Sequence, residues 1–176
     1  MGYITTFTGK KIDPVNPEPQ AIDIKDIAHA LSLTCRGNGH VKQFFSVGQH
    51  CIMCAREAAA RGYSRRVVLG CLLHDASEAY MSDVPRPFKA VLKEYMDAED
   101  KLIDLIYEKF LGSTLNLEEK ELVKQVDDGV LYYDMLELFG IEYGECTSEL
   151  LIQPSYVVRP FDEVEKEYLD IYEEWI

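Results

Sequence analysis

Val67-Val68-Leu69-Gly70-Cys71-Leu72-Leu73-His74-Asp75-Ala76-Ser77-Glu78-Ala79-Tyr80 is an apolar run that ends in a histidine, two acids and a serine. Val67, Val68, Cys71, Leu72 and Ala79 follow the three-and-four spacing of a buried helix face. The run therefore predicts a core helix, with His74, Asp75 and Glu78 attached to the interior. In a continuous helix Glu78 lies one turn beyond His74 on the same face, and Asp75 points about 100° round the barrel. By itself such a cluster reads as a solvated turn with a satisfied histidine; the rest of the chain changes that reading.

Outward from this stretch, Ser64 caps the motif helix, and Ser46 caps an earlier one that runs through Val47, His50, Cys51, Cys54 and Ala58 to Arg61-Gly62. His50 falls on the apolar face, in line with Cys54. Before that, Asp23 caps a first helix with Ile24, Ile27, Ala28, Leu31 and Leu33 as its core side, and His29 inside it reads as a packing or hydrogen-bonding residue. This helix gives way to Cys35-Arg36-Gly37-Asn38-Gly39-His40, whose glycines leave Arg36 and His40 on a loop. Residues 1–21 are punctuated too often by Thr, Gly and Pro for a helix and read as an extended or hairpin-like lead-in, with Tyr3, Ile4 and Phe7 tucked against the domain.

On the other side, Pro85 and Pro87 break the motif helix. Phe88 to Phe110 reads as a long amphipathic helix with Val91, Leu92, Tyr95, Leu102, Ile103, Ile106 and Phe110 as core candidates, and Leu117 to Phe139 as another with Leu122, Val126, Val130 and Leu131. Gly140 to Pro154 reads as a loop or short helix, and residues 160–176 hold a last acidic amphipathic helix. Strand signals are weak, so the expectation is an all-α single domain over residues 1–176, without repeats or low-complexity tracts.

The length suffices for a core without disulfides or metal staples, and 47% hydrophobic with 28% charged residues is ordinary for a soluble globular chain. The odd set of five cysteines suits reduced thiols, and the Cys51/Cys54 pair, with no second pair, reads as core packing. No apolar run has membrane-spanning length, and Met1 to Thr6 lacks the basic start of a secretory signal. The expected location is cytoplasmic. A net charge of −13 argues against a duplex nucleic-acid interface, which needs clustered Lys and Arg. A small anion remains possible as a partner if cations concentrate locally.

Asp127 follows Val126 on a mostly buried segment and needs a partner there, since an unpaired buried carboxylate costs several kcal/mol or neutralises itself. His50, His74, Asp75 and Asp127 together form a mixed nitrogen and oxygen set suited to a divalent first-row metal with open positions. Their separations are too long for a zinc finger and fit ligands drawn from different helices of a bundle.

These residues resemble the signature of the HD-domain metal-dependent phosphohydrolases: a His, a His-Asp pair and a distant Asp. Ser46-Val47-Gly48-Gln49-His50 is similar to the first motif of that family. His74-Asp75-Ala76-Ser77-Glu78, with Asp83-Val84-Pro85-Arg86-Pro87-Phe88-Lys89, resembles the central motif of its bacterial 5'-deoxynucleotidases. Val123-Lys124-Gln125-Val126-Asp127 resembles the last-ligand segment, which favours Asp127 over Asp128. Ile4 to Lys10 and Asp26 to Leu31 look like a branch of small phage and bacterial dNTP (dATP) triphosphohydrolases.

The resemblance implies an HD-domain helical bundle and one divalent transition metal (Co, Mn, Zn, Fe or Ni) on His50, His74, Asp75 and Asp127. Mg would come in addition with a polyphosphate substrate. Only His29 and His40 are left for a second metal, so a mononuclear site is expected. The implied reaction is attack of a metal-activated water on the phosphorus of a deoxynucleotide. Glu78 would be the general acid or base and Arg36 would lie near the phosphate. Lys89 and Lys124 are further cation candidates, and His40 with Phe44 and Phe45 would line a nucleotide pocket. The implied assembly is a homo-oligomer, with Tyr168, Ile171, Tyr172 and Trp175 offering a contact. The competing classes are a non-catalytic nucleotide- or metal-binding HD module and a structural bundle.

Overall fold

The computed structural model describes residues 2–142, 144, 146 and 149–176. The chain forms an α-helical bundle with one small hairpin. β1 (Ile4–Thr5) and β2 (Lys11–Ile12) pair antiparallel, Ile4 opposite Ile12 and Thr5 opposite Lys11. The hairpin is clasped to the bundle by Asp26, a buried carboxylate that accepts hydrogen bonds from the Thr8 amide (2.6 Å) and hydroxyl (2.9 Å). Tyr3 and Phe7 stay exposed rather than tucked in, although Phe7 stacks on His29 at 3.7 Å.

Helix α1 (Ile24–Leu33) starts at the Asp23 cap, and α2 (Val47–Ala60) starts at a full capping box, with Ser46 and Gln49 bonded reciprocally. The two pack closely because of Gly48, where a Cβ would sit 3.2 Å from the Leu31 carbonyl group. Leu33 lies at the solvent end of α1, 49% exposed, and is not part of the core. The intervening Arg36–Gly39 turn runs through left-handed backbone at Gly37 and Asn38, with the Gly37 α-carbon against the Phe139 ring. Glycine is required at 37: its φ is +58°, and a Cβ would clash at 2.3 Å.

Helix α3 (Arg65–Leu73) starts at the Ser64 cap as expected, but it does not continue through the motif. It ends at Leu73, His74 to Ser77 form tight turns, and a new short helix α4 (Glu78–Met81) follows. The bonds here close after three residues instead of four: Ala76 N–H to Leu73 O and Glu78 N–H to Asp75 O. Glu78 therefore does not stand above His74 on one helical face.

Two prolines frame the next turn, α5 (Arg86–Lys89), and the long helix α6 (Lys93–Leu111) begins only after it. The helix expected from Phe88 is thus two elements. Pro85 and Pro87 fix a separate turn of helix, and Leu92, with non-helical backbone angles (φ −109°, ψ 71°), redirects the chain. Val91 falls in that corner, 73% exposed, and contributes nothing to the core.

α7 (Leu117–Asp134) is capped by Asn116 and continues as a π-helical turn to Phe139. The described parts of Gly140 to Pro154 contain no helix; Tyr143, Glu145, Thr147 and Ser148 lie outside the described residues. The end of this stretch is held by Glu57, a fully buried carboxylate that accepts from the amides of Leu151 and Ile152 at 2.9–3.0 Å.

α8 (Phe161–Trp175) packs along α1. Val164, Tyr168 and Ile171 are buried in this same chain, so the apolar face offered above for a subunit contact is largely used internally. Among the described residues no helix is long and apolar enough to cross a membrane. Cys51, Cys54 and Cys71 lie in the core as buried thiols.

Candidate metal centre

The end of α3 sets the site. A helix terminus leaves its last carbonyls without intrahelical donors, and here other groups use them. Leu72 O accepts from the Tyr168 hydroxyl of α8 at 2.7 Å, and Cys71 O accepts from Nδ1 of His74 at 2.7 Å. The second bond fixes the imidazole: with Nδ1 as the donor, the lone pair is on Nε2. That Nε2 is buried and has no hydrogen-bond partner. Carboxylate oxygens of Asp75 and Asp127 lie near it, at 3.3 and 3.6 Å.

His50 arrives from α2. Its ring is fully buried, and Nδ1 lies 2.8 Å from Oδ2 of Asp134 and 3.2 Å from Nη2 of Arg36. Nε2 then faces Oδ1 of Asp127 at 3.1 Å and the Cys54 sulfur at 3.5 Å. The two rings are 5.3 Å apart. One atom each from His50, Cys54, His74 and Asp127 lies within 4.8 Å of all the others, and Cys51, His74 and Asp75 form a second such group around the shared histidine.

The chemistry of this donor set fits a divalent ion. A ring nitrogen of each histidine converges with an oxygen of Asp127 and the Cys54 sulfur, Asp75 groups with the shared His74, and the buried Nε2 of His74 has no hydrogen-bond partner. The electrostatics agree. Burial works against charge on His74, yet Asp75 and the neighbouring groups raise its affinity for a proton well above the ordinary histidine range. Burial would raise the carboxyl of Asp127, yet the neighbouring His50 and His74 imidazoles hold it well below the usual range. Asp75 is likewise held low by His74 and Arg36 against its burial. The locus attracts positive charge, as a proton or as a metal ion.

Arg36 lies in this cluster, but as a buried member of it. Nη1 donates to Asp75 and Nη2 to Asp134, both at 3.3 Å, with 13% of the side chain exposed. Glu78 is buried beside it, and one of its oxygens has no partner. Burial, together with Asp75 and Asp83, pushes this carboxyl well above the ordinary glutamate range.

The other expected residues fall farther out. Lys89 pairs with Glu99 at 2.8 Å, Lys124 pairs with Asp128, and His40 is exposed. Phe45 is in the core and Phe44 is 37% exposed, so only the latter faces outward. Asp128 points to Lys124 while Asp127 points to the histidines, which separates the two candidates. His29 pairs with Glu165 at 2.8 Å.

Sequence reasoning missed Asp134 and Arg86. Asp134 had a legible signal, seven residues beyond Asp127 and so on nearly the same face of α7. Arg86, 3.3 Å from Oδ2 of Asp127, had none. Cys54 was placed on the His50 face but read as packing alone.

A cavity of about 490 Å³ opens between α6 and α7 against His74 and Asp127. Its walls include Ile103, Tyr107, Leu115 and Val123, with Lys120 and Lys124 at α7.

Fold and site together define a helical protein with a candidate metal centre. The chain belongs to the family of the uncharacterised protein RCAP_rcc00048 of Rhodobacter capsulatus: the two are 34% identical over 147 residues, covering 80% of this chain and 74% of that protein. It is also similar to the uncharacterised YfdR of Escherichia coli K12, 38% identical over 112 residues. That match spans 62% of this chain and 59% of the length of YfdR. No family model matches the chain.

Proposed function

We propose that the chain is an HD-type, metal-dependent phosphohydrolase acting on deoxynucleotides. The observation that carries the reading is the convergence of His50, His74, Asp127 and Cys54, with Asp75 on the shared His74, beside the buried carboxyl of Glu78. His50, His74, Asp75 and Asp127 would hold the metal, with Cys54 at its edge. When bound there, a divalent cation supplies Lewis-acid stabilisation of phosphoryl charge and lowers the pKa of a water.

The chain's own residues do the rest. Cys71 O and Asp134 fix the imidazoles; Arg36 holds Asp75 and Asp134 in place. Glu78, whose carboxyl is shifted upward by burial, is suited to give a proton to the leaving oxygen, since a general acid works best with a pKa near the operating pH. The adjoining cavity falls in the 300–1,000 Å³ range typical of small-molecule sites, and its Ile, Leu, Val and Tyr walls suit a nucleoside.

The test is a release assay. Metal-stripped protein is given Mn, Co, Zn or Mg and a panel of deoxynucleoside mono- and triphosphates. Orthophosphate from monophosphates, or triphosphate from a triphosphate, is the expected product, and it should vanish on chelation and return with metal. If the protein binds a nucleotide but none turns over with any metal, the hydrolase reading fails and a binding module replaces it.

Asp134 gives a narrower prediction. Asp134→Asn keeps the shape but weakens the acceptor on Nδ1 of His50. Metal affinity is expected to fall roughly 10- to 100-fold, the usual effect of losing an outer-sphere partner. Competitive titration against a chromophoric chelator measures it, and an unchanged affinity would remove Asp134 from the site.

A further inference from the structure

We infer that Arg86, rather than Arg36, is the cation that receives the anionic group of the substrate. This rests on the reading of the cluster as a phosphohydrolase centre. Arg36 is buried, and its guanidinium donates to Asp75 and Asp134, which leaves little of its fork for a ligand. Lys89 pairs with Glu99, Lys120 with Asp104 and Lys124 with Asp128.

Arg86 differs from these in its partner: it pairs with Oδ2 of Asp127, at 3.3 Å, while its side chain stays 61% exposed, about as open as Lys124 at 63%. The other oxygen of the same carboxylate faces His50. The guanidinium therefore sits in solvent one carboxylate away from the metal locus, where a ligand entering beside Asp127 meets it.

Its position is held by the backbone. Arg86 lies between Pro85 and Pro87, which fix the chain on both sides. Asp83, three residues earlier, accepts from the Gly37 amide at 2.9 Å and ties this turn to the Arg36 loop.

The charge balance leads to the same residue. Asp75, Asp127 and Asp134 set three negative charges against Arg36, and one divalent cation brings that interior to neutrality. An incoming phosphate then finds no net attraction from these buried groups. Arg86 adds the missing positive charge from the solvent side. Its planar fork matches two phosphate oxygens, which a lysine point charge does not.

The test compares Arg86→Ala and Arg86→Lys with the wild type in metal-loaded protein, using metal content, calorimetric binding of inorganic phosphate, and KM against kcat on the best nucleotide. The expected loss on Arg86→Ala is roughly tenfold to a hundredfold in phosphate affinity, the range of one lost charge-assisted contact, with KM taking the larger share and metal content unchanged. Arg86→Lys should recover part of it. Unchanged phosphate affinity, absence of phosphate binding by the wild type, or a fall in metal content that accounts for the whole loss would each overturn the assignment. Phosphate binding through Arg86 in a wild type that hydrolyses no nucleotide would leave the anion site standing and remove the hydrolase reading instead.

Discussion

Asp127→Ala is expected to leave the protein folded and without stoichiometric metal, while Asp128→Ala, one residue away, retains it. Asp127 is the residue on which the cluster depends. Its Oδ1 lies 3.1 Å from Nε2 of His50 and 3.6 Å from Nε2 of His74, and it is the carboxylate that joins the two histidine-bearing elements to α7. Loss of a ligand should exceed the roughly 10- to 100-fold weakening typical of an outer-sphere partner. Hydrolysis should fall with metal content. Asp128 makes only a surface pair with Lys124, the kind worth about 0.3–0.5 kcal/mol on a helix. Metal analysis after dialysis, beside far-UV circular dichroism, decides the matter: equal metal in the two variants would remove Asp127 from the ligand set.

Glu78→Gln is expected to separate catalysis from stability. Activity should drop roughly 10²- to 10⁴-fold, the usual contribution of a positioned acid or base, while metal content holds, because Glu78 is not among the converging ligands. Stability should move the other way. The folded-state pKa of Glu78 is raised above its unfolded value, by burial first and then by Asp75 and Asp83. Its protonated form therefore supports the fold fully below the unfolded pKa, and that support is lost as pH rises through the folded pKa. A glutamine never ionises. The variant should melt like the wild type in acid and progressively higher than it as pH rises through that window. Thermal melts across a pH series, read beside phosphate release, test both halves; a variant that melts lower at every pH would show that the carboxylate is structurally required.

Much of the framework was legible because it is local. Asp23, Ser46 and Ser64 each cap the helix expected of them, since an N-cap side chain reaches an amide only two or three residues on. The helical periodicity of Leu117 to Phe139 survives as α7 and its π-helical turn. His50, His74 and Asp127 were selected because polar groups on apolar faces need partners, and the structure brings them to one another. The errors fell where two local solutions are nearly equal in energy. Three-residue and four-residue closures compete at His74 to Ser77, and the proline pair allowed either a late start to one helix or two helices.

The sequence by itself determined that the chain is helical, where most helices begin, and which histidines and acids had to find partners. Those outcomes follow from periodicity and capping, which operate within a few residues. Only the tertiary structure decided what each partner is. Tyr168 of α8 reaches Leu72 O, and the broken end of α3 leaves Cys71 O to orient His74. Asp134 on α7 orients His50 across the bundle. Arg36 is drawn into the interior by two carboxylates from distant segments, and Arg86 is left at the solvent edge. Burial and long-range charge make these choices, and neither is written in the spacing of residues along one helix.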